Sequence, residues 1–94
     1  MPVLSKKQEQ KIDQYFFAVA AGSDPCGWRK PIQSVWIKYK GSQAAEAMYR
    51  YYVFRENWKT TCREMHISYN SLYRWRMDFL LSAALAGLKA GLDI

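Results

Sequence analysis

Apolar residues recur every three or four positions in three successive stretches of this chain, which is the spacing of one buried face on an α-helix. The first stretch follows Ser5, which together with Gln8 has the pattern of an N-terminal capping box. Turn-forming residues separate the stretches: Pro25 lies before the second, and Gly41 and Ser42 lie before the third. The three apolar faces are Ile12, Tyr15, Phe16 and Val19; Ile32, Val35, Trp36 and Tyr39; and Ala45, Met48, Tyr49, Tyr52 and Val53.

The region from Trp58 to Met77 has the pattern of a short helix, a tight turn and a second helix. Thr61, Cys62 and Met65 share one face of the first helix, and Cys62 is small enough to let a crossing helix approach closely. His66 falls in the turn, where the backbone needs a left-handed conformation that histidine adopts more readily than most residues. This spacing predicts a helix-turn-helix over residues 57–82, a layout that proteins use to read DNA.

The second helix of this region has two different faces. Ser68 can cap its N-terminus through the side-chain hydroxyl, and Leu72 and Trp75 are three residues apart, so that they face the interior together. The outer face is polar, aromatic and cationic, which suits the major groove of DNA. Expected on that face are Tyr69, Asn70, Tyr73 and Arg74, which would approach base edges, and Met77. Expected to contact phosphates are Lys59, Thr60, Arg63, Ser68 and Arg76.

A structural helical hairpin would explain the same apolar positions, because two amphipathic helices joined by a short turn are common in all-α domains. The distribution of charge favours DNA binding instead. The chain carries a net charge of +6, and residues 50–76 contain six Lys or Arg against two Glu, a local charge of +4. A basic patch that coincides with the helix-turn-helix is the electrostatic footprint of a protein that binds a polyanion.

The last residues, Phe79–Ile94, are more apolar than a lone surface helix requires. They either continue the second helix or start another, and they pack either on the first helix of the chain or on a second copy of the chain. Gly87 and Gly91 are expected to weaken the helix near its end. Because one short recognition helix gives limited affinity, we expect a homodimer, formed through this Leu- and Ala-rich tail, on a two-fold DNA site.

Length and composition predict the fold class. Ninety-four residues suffice for one domain with its own core, and half of them are hydrophobic and 16% aromatic, which argues against disorder. The patterns together predict a single all-α domain over residues 1–94, with four to five helices. Met1–Leu4 is expected to be a frayed lead-in.

Cysteine and histidine usage argues against several classes of site. The two cysteines are far apart, no C-x-x-C occurs and there is one histidine, so neither a disulfide framework, nor a metal site, nor a cofactor is predicted. Reduced thiols and the lack of a secretory signal favour a cytoplasmic location, and the longest apolar run is too short to span a membrane. The carboxylates form no recognisable acid–base pair and His66 has no evident nucleophile partner, so no enzymatic activity is expected.

The segment Met65–Ala86, MHISYNSLYRWRMDFLLSAALA, resembles the C-terminal helix-turn-helix of small phage-encoded transcription regulators of the ArpU and RinA type. Those regulators are similar to the promoter-reading region of sigma factors. The shared features are a turn followed by Ile-Ser, then Tyr-Arg-Trp-Arg, then an apolar helix rich in Leu and Ala. The resemblance covers about residues 57–86. It implies duplex DNA binding and control of late or transfer genes in a phage or an integrated element, and it leaves open a contact with RNA polymerase.

Two functions of different classes therefore stand as hypotheses. The first is a sequence-specific double-stranded DNA-binding protein, a phage or mobile-element transcription regulator; DNA packaging or recombination is an alternative role for the same binding. The second is a small helical protein-interaction module, such as a phage inhibitor of a host complex. Binding to random duplex DNA that weakens steeply with salt distinguishes the first hypothesis from the second.

Overall fold

The computed structural model describes residues 4–94 and confirms the predicted all-α class. A single 3-10 turn, Pro25–Gly27, interrupts the first connection. The expected lead-in lies outside the described residues except for Leu4, which is buried rather than frayed. The five α-helices, in chain order, are α1 Lys6–Ala20, α2 Arg29–Lys38, α3 Gln43–Tyr52, α4 Trp58–Met65 and α5 Tyr69–Lys89.

Short-range hydrogen bonds determine where the helices begin. At α1 the Gln8 backbone N–H donates to Ser5 Oγ (3.1 Å) and the Ser5 N–H donates to Gln8 Oε1 (2.9 Å), which completes the predicted capping box. Ser42 caps α3 by accepting from the Ala45 N–H (3.0 Å). Each of these bonds satisfies a backbone donor that has no partner within its own helix.

The core is built around Phe16 of α1. Its ring stacks on Tyr52 of α3, with 4.7 Å between the ring centroids, and lies 6.0 Å from Phe79 of α5. Trp36 of α2 meets Phe79 edge to face at 5.2 Å. Aromatic side chains from four helices therefore converge on one point, and burying such large surfaces is the main stabilising contribution to folding.

The loop before α2 contributes one of the largest buried side chains. Trp28 is only 1% exposed, and its ring lies against α5 at Gly87, where a Cβ atom would come within 2.2 Å of Trp28 Cη2. From the sequence alone, Gly87 is expected only to weaken the helix. The structure shows that the missing side chain is what allows Trp28 to reach the core.

The C-terminal tail continues the second helix of the helix-turn-helix without a break, since α5 is 21 residues long. Four of its apolar residues are buried within the same chain: Phe79, Leu80, Ala83 and Ala84. Leu85 and Leu88 remain exposed. Packing inside the chain thus accounts for one face of the tail, and two leucines of another face stay at the surface.

The apolar face of α3 is rotated relative to the prediction. Ala47, Met48 and Tyr52 are buried, whereas Tyr49 is exposed. Since Met48 and Tyr52 are four residues apart, they form the inner stripe of α3, and Tyr49 lies beside that stripe rather than in it.

Candidate nucleic-acid interface

Helices α4 and α5 form the predicted helix-turn-helix. An eight-residue helix is followed by a three-residue turn, residues 66–68, and by the start of α5 at Tyr69. His66 has φ 55° and ψ 46°, which is the left-handed conformation expected at this position. The Ile67 N–H donates to the Cys62 carbonyl (3.0 Å), and Ile67 is partly buried against the core. The turn therefore has the left-handed His66 that the pattern indicated, and Ile67 closes it against the core.

Small and apolar side chains fill the crossing between α4 and α5. Cys62 is nearly buried and Leu72 is completely buried. Burial raises the pKa of the Cys62 thiol, so this sulfur stays protonated and uncharged near neutral pH. At the start of α5 the Ser71 N–H donates to Ser68 Oγ (3.1 Å), so Ser68 is the N-cap that the sequence predicted.

A polar bridge that the sequence analysis missed ties α4 to the end of α3. The hydroxyl of Thr61, fully buried, donates to Glu56 Oε1 at 2.8 Å. Glu56 also receives Arg50 Nη1 at 3.4 Å. Because Glu56 lies between the two helices, these contacts orient α4 relative to the rest of the fold. The available signal was a threonine on the inner side of α4, five residues after a carboxylate.

All four residues expected to approach base edges are exposed on the first two turns of α5: Tyr69, Asn70, Tyr73 and Arg74. Their spacing of one and four residues places them on one face of the helix. Met77 continues the same face but is partly buried against the core, which corrects the expectation that it is exposed. Asp78 is exposed one turn after Arg74 and ends the cationic part of this surface. We call the four exposed residues the reading face.

The tyrosines of the chain fall into two groups. Five of the seven have an aromatic partner: Tyr15, Tyr39, Tyr49, Tyr51 and Tyr52. The other two, Tyr69 and Tyr73, are 53% and 55% exposed, and neither ring pairs with another ring within residues 4–94. An unpartnered aromatic side chain on an outer face contributes little to the fold and leaves its surface available to a ligand.

Fewer positively charged side chains are available to a ligand than the sequence suggested. Of the six cations in residues 50–76, three are engaged within the fold. Arg50 lies 3.4 Å from Glu56, and the guanidinium carbon of Arg55 lies 5.0 Å from the centroid of the Phe17 ring. Arg76 is the third. The remaining three are exposed on α4 and α5: Lys59, Arg63 and Arg74.

The residues expected to contact phosphates differ in their exposure and in their ion pairing. Lys59 has no carboxylate within 4.0 Å in the described part of the chain, and Arg63 lies 4.0 Å from its neighbour Glu64 with both side chains well exposed. An exposed pair of this kind is weak and is readily exchanged for another anion. Ser68 is exposed and Thr60 is partly buried. Lys59, Thr60 and Arg63 lie on α4, and Ser68 lies in the turn that precedes the reading face.

Arg76 is largely buried and ion-paired within the fold, which argues against the phosphate contact expected of it. Its Nε donates to Asp13 Oδ1 at 3.2 Å, its Nη1 lies 4.0 Å from Glu9 Oε1, and its side chain is only 17% exposed. The reason is its position: Arg76 follows buried Leu72 by four residues and so faces inward on the same side of α5. The four-residue spacing from Leu72 therefore indicated an inward position. The positive charge of Arg76 favoured the assignment to a phosphate instead.

Asp13 joins three helices. Besides Arg76 of α5, it accepts a hydrogen bond from the hydroxyl of Tyr52 in α3 at 2.6 Å. Burial raises the pKa of Tyr52 well above its ordinary value, and the nearby Asp13 carboxylate raises it further. The network holds the reading end of α5 against α1, and its members were not predicted as a set.

A groove between α2 and α3, of about 1310 Å³, lies outside the helix-turn-helix. Two of its apolar side chains are largely exposed, Ile37 at 72% and Phe54 at 67%. The Phe54 ring meets Tyr49 edge to face at 5.2 Å, and Tyr49 meets Trp36 in the same way at 6.1 Å. An aromatic row thus runs from the core to the surface of this groove.

Comparison with family models, with curated proteins and with solved structures found no match to this chain. Among residues 4–94 there is no helix with both the length and the apolar character needed to cross a membrane. No three His, Cys, Asp or Glu side chains in that part of the chain are grouped so that they could hold a metal ion.

Proposed function

We propose that this chain binds double-stranded DNA, with the first two turns of α5 in the major groove. The proposal rests on one observation: the reading face is exposed, whereas the other side of the same two turns is held inward by Leu72 and Arg76. A helix whose one side is anchored and whose other side presents hydrogen-bonding and aromatic groups has the form needed for direct readout of base edges.

Two residues of the reading face have geometries that favour particular bases. A guanidinium such as that of Arg74 pairs in bidentate fashion with guanine O6 and N7, and an amide such as that of Asn70 pairs with adenine N6 and N7. Each pairing discriminates against a wrong base by roughly 1–3 kcal/mol. Lys59, Thr60, Arg63 and Ser68 contact the phosphates on either side and set the register of the complex.

The biological role that this binding best fits is transcription regulation in a phage or a mobile element, which is what the resemblance of residues 57–86 implies. A role in DNA packaging or recombination uses the same contacts and remains the alternative. The DNA-bound form is a homodimer in this proposal, because a single reading face of two turns gives limited affinity. Leu85 and Leu88, exposed on the far half of α5, are the residues proposed for the contact between protomers.

The decisive experiment measures affinity for a random-sequence duplex as a function of salt and pairs each variant with a control. Lys59→Ala and Arg74→Ala should weaken binding. Lys30→Ala and Arg29→Ala remove exposed cations at the start of α2 and should have little effect. The controls are distant: Trp28, which precedes them, contacts Gly87, about 21 Å along α5 from Tyr73. Equal affinities for all four variants would contradict the assignment of faces.

Specificity and assembly need separate measurements. Selection of tight-binding fragments from a random duplex pool should return a preferred site, and Arg74→Ala should relax the preference where Lys59→Ala does not. Light scattering, on the free protein and on a selected duplex, should show two copies on the DNA. A single copy in both states would remove the dimer and leave the reading face untouched.

A second candidate function, a helical protein-interaction module, is favoured by the α2–α3 groove. Exposed Ile37 and Phe54 resemble the apolar anchors that dominate protein interfaces. Under this function, binding to random duplex DNA at low salt should be nearly absent. Steeply salt-dependent binding by the wild-type chain would decide against it as the main function.

A further inference from the structure

Tyr69 and Tyr73 are free to bind through either the ring or the hydroxyl. They are four residues apart, one turn of helix, and each is about half exposed. Within residues 4–94 neither ring has an aromatic partner and neither hydroxyl makes a hydrogen bond. Each is followed directly by a residue with a base-pairing side chain, Asn70 or Arg74. One turn of α5 thus presents one ring and one hydrogen-bonding group, and the next turn repeats the pair.

The major groove offers an aromatic ring only one apolar partner. Guanine, adenine and cytosine display hydrogen-bond donors and acceptors there, and thymine alone adds a C5-methyl group. A ring in the groove removes apolar surface from water only where it covers such a methyl. The alternative for a tyrosine is a hydrogen bond from its hydroxyl to a phosphate, which carries no sequence information.

From this chemistry we infer that Tyr69 and Tyr73 read thymine, by packing their rings on the C5-methyl groups of two thymines in the bound site. The inference rests on the proposed function and adds its base preference. The tyrosines are separated by about 6 Å along the helix axis, close to two base-pair steps of about 3.4 Å each for a helix lying along the groove. The thymines read therefore lie about two base pairs apart, next to the bases bound by Asn70 and Arg74.

Replacing thymine by deoxyuridine in a selected duplex tests this directly, because the change removes the methyl and keeps every hydrogen-bonding group. Wild-type affinity should fall roughly fourfold for each methyl that is contacted and roughly fifteenfold for two, the ratios that follow from burying one or two carbon groups. The protein is unchanged in this comparison, so folding does not affect the result.

Variants then assign the effect to the rings. Tyr69→Phe and Tyr73→Phe keep the ring and should retain both affinity and the thymine-to-deoxyuridine ratio. Tyr69→Ala and Tyr73→Ala should each lower that ratio, and together they should bring it to about one. Lys59→Ala is the matched control: it should weaken both duplexes and leave the ratio unchanged.

The possible results separate this inference from the function on which it rests. Salt-dependent binding with equal affinity for both duplexes would overturn methyl reading and leave DNA binding in place. Loss of affinity in the phenylalanine variants would overturn it too, since the hydroxyls would then be the contacting groups. Absence of binding to any duplex would overturn the proposed function itself.

Discussion

Residues 69–77 and residues 79–87 are two halves of one helix, α5, and they differ in what they bury. In the first half the aromatic side chains Tyr69 and Tyr73 point away from the protein, and in the second half Phe79 is completely buried. Arg76 lies where the two halves meet and is fastened to Asp13 of α1. One continuous helix is thus anchored in the core at one end and presents exposed polar and aromatic side chains at the other.

The orientation of α5 is thus fixed by its buried half, and the exposed residues of its first two turns need not take part in the core. The core half sets the direction of the whole helix, because a helix of 21 residues is stiff over its length. The exposed residues of the reading half can therefore change without a large effect on stability, whereas the buried residues of the core half cannot. Substitutions in the two halves should therefore differ widely in their effect on stability.

The sharpest contrast is between Phe79→Ala and Tyr73→Ala, which remove one aromatic ring from each half. Phe79 stacks on Tyr39 at 4.7 Å and is fully buried, so its loss should lower the free energy of unfolding by about 4 kcal/mol. Tyr73→Ala should change it by less than about 0.5 kcal/mol, because the side chain lies at the surface. Urea titrations of both variants measure the two values. Similar losses would mean that the halves are not distinct.

Gly87→Ala tests the closest contact of the core half. The added Cβ would lie 2.2 Å from the Trp28 ring, so either the ring or α5 must move. We expect a loss of about 3 kcal/mol, although glycine to alanine in an exposed helix interior is stabilising by about 1 kcal/mol. A smaller side chain at position 28 should recover part of the loss, so Trp28→Leu combined with Gly87→Ala should cost less than the two single changes added together. Strict additivity would contradict the contact.

Arg76→Ala tests the junction. It removes a charge-assisted hydrogen bond and leaves Asp13 without its cation, so the free energy of unfolding should fall by about 2 kcal/mol. In combination with Asp13→Asn the losses should be markedly less than additive. Since Arg76 is paired with Asp13 inside the fold, its removal should leave the slope of affinity against salt unchanged, whereas Lys59→Ala should lower that slope by about one. An equal drop in slope for both would restore Arg76 to the DNA surface.

The smallest effect concerns pH. The pKa of Tyr52 is raised in the folded state by burial and by Asp13, so the folded protein keeps this proton more tightly than the unfolded chain. The corresponding stability is fully present below the unfolded pKa of about 10 and is lost as the pH rises further. Denaturant midpoints between about pH 9 and pH 11 should fall more steeply for the wild type than for Tyr52→Phe. At neutral pH the variant should be less stable by about 1.5 kcal/mol.

Several features of the site followed from the sequence because their causes are local. The hydroxyl of Ser68 and the N–H of Ser71 that it caps are three residues apart, and the left-handed His66 follows from the tightness of the turn. The exposure of Tyr69 and Tyr73 followed from the helical period alone, once Leu72 was taken as the inner face. Such features need no knowledge of the other helices.

Other features depend on which helices meet, and no local pattern contains that information. Arg76 and Asp13 are 63 residues apart in the sequence. They form an ion pair because α1 packs on α5, and the sequence around Arg76 gives no sign of that packing. The sequence predicted only that Gly87 weakens the helix, whereas in the fold it makes room for Trp28. Tyr49 was predicted on the buried face of α3 but is exposed in the α2–α3 groove. Local sequence was enough for the helices, for caps such as Ser5 and Ser68, and for the exposed reading face, since hydrogen bonds and helical periodicity act over a few residues. Which polar and aromatic side chains are buried or paired depends on the tertiary structure, because burial and ion pairing require closeness in space rather than along the chain.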